Sequence, residues 1–258
     1  MKLKSSTIQG LVSVASVAVL LLAWWTVTRL GLVRSIILPS PAEVMDGAID
    51  IWNGYLGVPF WNHFKASLSV MLMGYLSAAV LGVAAGVAMA WVPLLDRLFA
   101  PLIAVMRPVP PPAWIPLAIL WFGIDLSAKV FIVFVAAVVP CVLNSYQAVK
   151  NTPIELLNAG RSLGAKKGRL LWEVVMPASL PVILGGLRIA LGTAWATIVA
   201  AELVVSLAGF GFLIMNGYRN LESNIVVCGM LAVAVAGFLM NLAFVRISRR
   251  LVPWADHK

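Results

Sequence analysis

Apolar stretches long enough to cross a bilayer alternate with short polar interruptions along the whole chain. Residues Ile8 to Leu30 are apolar and end at Trp24 and Trp25, an aromatic pair of the kind found at membrane interfaces. The stretch is too long for a secretory leader and no small-residue cleavage site follows it, so it reads as a first span. Gly31 to Gly57 mixes Pro39, Pro41, Glu43, Asp46 and Asp50 and reads as an external loop with a short helix over Pro41–Trp52. Phe60–Ser67 forms an amphipathic entry to a second span, Leu68–Val92. There Gly82-x-x-x-Gly86 permits close helix approach, for which plain packing is sufficient reason. Asp96 and Arg97 mark an inner turn.

The third span, Leu98–Gly123, is interrupted by Arg107-Pro108-Val109-Pro110-Pro111-Pro112-Ala113-Trp114. Four prolines remove four backbone donors, and a helix broken at membrane depth is tolerated only against protein or a water-filled cavity. Asp125–Lys129 is an outer turn. Val130–Val149 is a fourth span with a kink expected at Pro140, Val182–Ser206 a fifth, and Ile225–Val245 a sixth. The segment Leu207–Asn220 is too short to span and is either re-entrant or superficial. Between spans four and five lies the longest polar segment, Thr152–Pro181. Thr152 is placed to cap a helix, Pro153 suits its first position, and Glu155 completes a capping box. Leu156, Ala159, Gly160 and Leu163 recur at helical spacing, and Gly164 can end the helix. Such a helix either lies on the membrane surface or docks its apolar face into a partner.

Composition settles the solvent. The 258 residues are 62% hydrophobic and 11% charged, with a mean hydropathy of +0.98. That is too few charges to cover a water-soluble surface, so the chain is an integral membrane protein. The net charge of +9 would point to nucleic acid on a soluble protein; here basic residues cluster at span ends, and no nucleic-acid partner is implied. Twelve Lys and Arg fall on one side: Lys2, Lys4, Arg97, Lys150, Arg161, Lys166, Lys167, Arg169, Arg246, Arg249, Arg250 and Lys258. Five fall on the other: Arg29, Arg34, Lys65, Lys129 and Arg219. The richer side is the inner one, which gives six spans with both termini in the cytoplasm. The expected organisation is one all-α membrane domain over 1–258, its core at about 60–250 and the first span and external loop at 1–59.

The inner loop carries a resemblance. ATP-driven importer permeases have a loop with Glu-Ala-Ala, three residues, Gly, nine residues, then Ile-x-Leu-Pro. This chain has Asn158, Ala159 and Gly160, then Gly164, then Val174, Met176 and Pro177 at the same spacing. Asn158 lacks the charge of the usual Glu. Three further stretches, Arg107–Gly123, Gly185–Leu203 and Arg249–Trp254, are similar to the nitrate/sulfonate/taurine branch, so the resemblance covers roughly Pro39–Trp254. It implies the type I (MetI-like) importer permease fold in a bacterial plasma (inner) membrane. It implies two copies of the permease, two ABC ATPase subunits and a periplasmic or lipid-anchored substrate-binding protein; the second copy is either identical or a related chain, and closed two-fold symmetry favours an identical one. The loop helix would be the coupling helix, with Glu155, Asn158, Ala159, Gly160, Arg161, Leu163, Gly164 and Pro177 at the ATPase.

The residues themselves agree with a transport part rather than an enzyme. No G-x-x-x-x-G-K-[ST] phosphate loop is present, so ATP and Mg would be used by the partner ATPase and this chain would bind no cofactor. No catalytic motif or metal spacing is visible, and His63 and His257 read as solvated side chains. An ion-coupled secondary transporter or channel is the alternative; no inverted repeat supports it. Three ionisable residues fall within spans and are candidates for the translocation path. Arg107 either lines the path or caps carbonyls freed by the prolines. Arg188 either lines it or snorkels to the inner interface. Glu202 either lines it or sits in a wet outer vestibule.

Overall fold

The computed structural model describes the backbone of residues 2–204 and 206–255. In the first helix it describes the side chains of Val12 and of Ala15 onward. The side chains of Lys2 and Lys4, together with His257 and Lys258, lie outside the described residues. Helix α1 is Lys2–Arg29 and α2 is Pro41–Asn53, the short helix expected in the external loop. Ser40 and Glu43 form a reciprocal capping box at the start of α2. Helix α3, Phe60–Trp91, takes in the amphipathic entry and the second span as one 32-residue rod. Helix α4, Pro93–Met106, is separated by a 3-10 turn at Pro111–Trp114 from α5, Ile115–Phe122. The two arms bend by 92°, as four prolines require. Helix α6, Leu126–Lys150, runs through Pro140 without a break.

The polar segment holds α7, Ile154–Ser162. After it, α8 (Lys167–Arg169), a π-helical turn (Leu170–Val175) and α9 (Met176–Val204) run on as one 38-residue helix. The polar segment expected to reach Pro181 therefore ends near Lys166, and Pro181 stands inside a helix. Helix α10 is Phe210–Arg219 and α11 is Ser223–Leu251. Segment α10 is not superficial: Phe210, Gly211, Leu213 and Gly217 are buried against α9 and α11.

Among the described residues, α3, α6, α8–α9 and α11 are each long and apolar enough to cross a membrane, and the bent pair α4–α5 makes a fifth crossing if counted as one span. The described apolar part of α1 is Ala15–Arg29. The bent pair must traverse rather than re-enter. Lys150, at the end of α6, meets Asp96, at the start of α4, at 3.4 Å, and the Tyr146 hydroxyl donates to the same carboxylate at 2.9 Å. The start of α6 is therefore at the far end, which α4–α5 has to reach.

Helices α3, α6 and α9 form the core. Close approach depends on bare backbone: a Cβ on Gly74 would stand 2.7 Å from Val133, and one on Gly82 2.6 Å from the Cys141 Cβ. Met71, Val133, Ala190, Ala194 and Ile198 fill the interface. Large apolar side chains such as Leu102, Val105, Leu120 and Phe238 stay exposed, as a lipid-facing surface demands. The opposite end from α7 is closed by polar ties. The Tyr55 hydroxyl donates to the Glu222 carboxylate and the Ser223 hydroxyl to the Ile36 carbonyl. Burial, reinforced by Glu222, pushes the Tyr55 phenol above its ordinary value.

Candidate functional site

The α7 end begins from a proline. Pro153, not Thr152, occupies the N-cap position, and the Thr152 hydroxyl donates back to the Ala148 carbonyl at 3.5 Å. The capping box read from the sequence is thus not made: Thr152 still closes α6, and the extended backbone of Pro153 starts α7 one residue later. The C-terminus matches expectation. Gly164 has φ +80°, its N–H donates to the Arg161 carbonyl at 2.9 Å, and the Ala165 N–H donates to the Gly160 carbonyl at 3.0 Å. This is a Schellman closure, which favours glycine at that position.

The helical face read as one apolar stripe divides in two. Gly160 is buried; a Cβ there would meet Leu170 at 2.7 Å and Val174 at 3.3 Å. Gly160 therefore seats α7 on the π-helical turn of its own chain and is not part of an outward face. Leu156, Ala159 and Leu163 point out, with Leu163 89% exposed, and Ile154 and Trp172 add to the exposed apolar ledge. Glu155 is exposed in the first turn, and Arg161 donates to the Asn158 side chain at 3.4 Å. Arg169 and Glu173 pair at 2.9 Å on the surface beside them, and Pro177 is exposed at the start of α9.

Arg107 caps α4, its N–H donating to the Ile103 carbonyl at 3.0 Å. Its side chain lines two cavities. One, about 170 Å³, lies between α4 and α6 and includes Asp96 and Tyr146. The other, about 300 Å³, lies at the break itself and brings Arg107 together with Asn144 of α6 and Thr193 of α9. The carbonyls beside the prolines are served by backbone donors: Ala113 donates to Pro110 at 2.9 Å, and Ile115 donates to Pro112. Among the described residues the Arg107 guanidinium has no hydrogen-bond or ion-pair partner and is exposed, so it does not cap those carbonyls. Asn144 and Thr193 were not legible as site residues in the sequence. Each is a polar residue in an apolar span, the one available signal.

The other two charged candidates lie elsewhere. Arg188 donates from Nε to the Asn241 side chain of α11 at 2.7 Å and lines a separate cleft of about 390 Å³. Glu202 is 2% exposed, packed inside the chain rather than in a wet vestibule. Ser67 donates to both its oxygens at 2.7 and 2.9 Å, and the Gly211 N–H donates at 3.0 Å. The Ser67 oxygen accepts the Phe210 N–H at 3.0 Å, and His63 Nδ1 accepts the Gly209 N–H at 3.1 Å. His63 is fully buried, contrary to its reading as a solvated side chain. Glu202 and His63 thus hold α10 to α9 and α3. Full burial takes Glu202 off the candidate path, and the three charged residues are not brought together.

Comparison with known proteins places the chain. The family model for "Binding-protein-dependent transport system inner membrane component" matches residues 78–257. The taurine transport system permease protein of Escherichia coli (strain K12) is 36% identical, over 95% of this chain and 90% of its own. The nitrate import permease protein of Leptolyngbya laminosa is 34% identical, over 75% of this chain and 69% of its own. The inward-facing structure of the MetNI methionine ABC transporter superposes with a TM-score of 0.66 at 20% identity, over 74% of this chain and 95% of that one.

Proposed function

This chain belongs to the family of binding-protein-dependent transport system inner membrane components, a permease subunit of an ATP-driven importer, and from that premise we propose how it is oriented, coupled and lined. The α7 end faces the cytoplasm with both termini, because the richer share of Lys and Arg lies there. A second, identical copy, two ATPase subunits and an external binding protein complete the importer. ATP and Mg are used by the ATPase, and this chain hydrolyses nothing itself. The ATPase receives the exposed ledge of Leu156, Ala159 and Leu163, with Glu155, Asn158 and Arg161 around it. Gly160 seats that ledge from behind, Gly164 closes its helix, and Pro177 adds an exposed position at the start of α9.

The translocation path runs past Arg107, and its cargo is a small oxyanion of the sulfonate or nitrate class. The observation that carries this reading is the unpartnered guanidinium at the broken span, facing a cavity shared with Asn144 and Thr193. A lone Arg at mid-membrane costs at least about 2.5–3.5 kcal/mol on insertion scales. No partner on the chain takes up the guanidinium, which leaves it free to meet an anion that enters the cavity. The planar fork of Arg matches an oxyanion, and the names of the taurine and nitrate relatives support the same class.

The test is uptake of taurine and of nitrate per assembled complex in proteoliposomes. Arg107→Lys should retain part of the transport. Arg107→Gln should lower it about tenfold, the equivalent of ~1.4 kcal/mol, with assembly unchanged. Normal uptake by a fully assembled Arg107→Gln complex would overturn the path reading. A loss that only tracks missing complex would replace it with a structural role.

A further inference from the structure

Asn144 and Thr193, which share a cavity with Arg107, spend their donors on backbone carbonyls. Pro140 has no N–H, so the Ala136 carbonyl one turn earlier in α6 loses its helical partner. The Thr193 hydroxyl of α9 lies 3.4 Å from that carbonyl and 2.9 Å from the Ala190 carbonyl of its own helix, and its one proton is committed between them. Asn144 donates from Nδ2 to the Pro140 carbonyl at 2.7 Å. Packing holds that amide in place: a Cβ on Gly186 of α9 would collide with the Asn144 Cβ and stand 2.7 Å from its Cγ.

What the two residues leave for the cavity is lone pairs. The Asn144 Oδ1 receives no donor among the described residues and is not sealed inside the chain. The Thr193 oxygen, with its proton committed, can only accept. Arg107 is the other polar side chain of the lining, and Met106, Val109, Val139 and Leu143 belong to its apolar remainder. The volume of about 300 Å³ is at the small end of the roughly 300–1,000 Å³ usual for small-molecule sites. One compact recess thus offers cationic donors from the end of α4 and acceptors from α6 and α9.

We propose that Asn144 and Thr193 are specificity-determining residues of the path, selecting a cargo that carries N–H donors as well as an oxyanion. The class that fits is a short aminoalkanesulfonate, its sulfonate toward Arg107 and its ammonium toward the Asn144 and Thr193 oxygens. The inference rests on the reading that Arg107 lines the path. Nitrate has acceptors alone, so beside Arg107 it would turn oxygen lone pairs toward those of Asn144 and Thr193. An alkanesulfonate without nitrogen would cover both oxygens and give them no donor. A site that hydrogen-bonds a substrate N–H discriminates against an analogue lacking it, because its own polar groups are then left unpaired.

The permease–ATPase complex is tested by equilibrium dialysis against taurine and against propane-1-sulfonate, an isostere with methyl in place of ammonium. The binding protein is left out, so its selectivity does not enter. Taurine should bind about tenfold more tightly. Asn144→Leu and Thr193→Val should each remove most of that preference without lowering the affinity for propane-1-sulfonate, and Thr193→Ser, which keeps the oxygen, should retain it. Thr193→Val preserves shape and decides the matter if Asn144→Leu fails to assemble. Arg107→Gln should weaken both sulfonates alike. Equal affinities in the wild type, or a preference that survives Thr193→Val, would overturn the acceptor role while leaving the Arg107 path standing. Two sulfonates that bind equally well with and without Arg107 would remove the path reading and this proposal with it, as would failure of both to bind at millimolar concentration.

Discussion

A carboxylate without water must be met by donors, and the way Glu202 is met explains three neighbouring residues at once. The successive N–H groups of Gly209, Phe210 and Gly211 donate to His63, Ser67 and Glu202. These are the amides that the start of α10 would otherwise leave unsatisfied. Glycine is needed on both sides of Phe210. Gly209 has φ +128° and a Cβ there would strike the Glu202 carboxyl, while one on Gly211 would stand 2.5 Å from the Val199 carbonyl. Glu202→Ala orphans the Gly211 N–H and the Ser67 hydroxyl, each at a cost of about 1–3 kcal/mol. Glu202→Gln keeps one acceptor oxygen and should cost less. Thermal unfolding of the purified complex should therefore rank wild type above Glu202→Gln above Glu202→Ala. If Glu202→Ala matches wild type, the network contributes nothing to holding α10. None of this was visible in the chain, because Ser67 and Glu202 are 135 residues apart and only the packed helices bring them together.

Local signals did locate elements. The proline run marked the broken span, and Gly164 marked the end of α7, because both act through their own backbone. The same local logic misjudged the segment after α7. The polar segment reads as far as Pro181, yet the helix has already begun and widens just before the two prolines: the Met176 N–H reaches back to the Leu171 carbonyl in a π-helical turn, and the rod continues. It also misjudged the stripe on α7, since which half faced the chain depended on where Leu170 and Val174 would come to lie. That division decides which substitutions test coupling. Gly160→Trp would drive into Leu170 and confound docking with local unfolding. Ala159→Trp and Leu163→Asp alter only exposed positions. Either should leave membrane insertion and the thermal midpoint of the permease unchanged, while lowering ATPase stimulation by the substrate-loaded binding protein about tenfold, roughly 1.4 kcal/mol of coupling. Stimulation undiminished in both variants would move the ATPase contact away from α7. A cysteine at Ser162 should also cross-link to one in the ATPase groove.

The whole molecule has two unlike ends, and their sidedness is the premise under which coupling and path make sense together. One end gathers Asp96, Lys150, α7 and the end of α11; the other gathers α2, Tyr55 and the start of α11. The helices fix this sorting without reference to any compartment. Basic residues then choose the compartment, because Lys and Arg near span ends resist translocation. Lys166 and Lys167 are exposed at the first end, and Asp46 is exposed on α2 at the second. In intact cells an amine reagent that cannot cross the membrane should therefore leave Lys166 and Lys167 unmodified, and should reach them in inverted vesicles. A cysteine placed by Asp46→Cys should show the opposite pattern with an impermeant maleimide. The native thiols do not interfere, since Cys141 and Cys228 are both buried. Agreement would put α7 where an ATPase can reach it and α2 where a binding protein can. The reversed pattern would place α7 outside the cell, and the coupling role would fall with it, whatever the behaviour of Arg107.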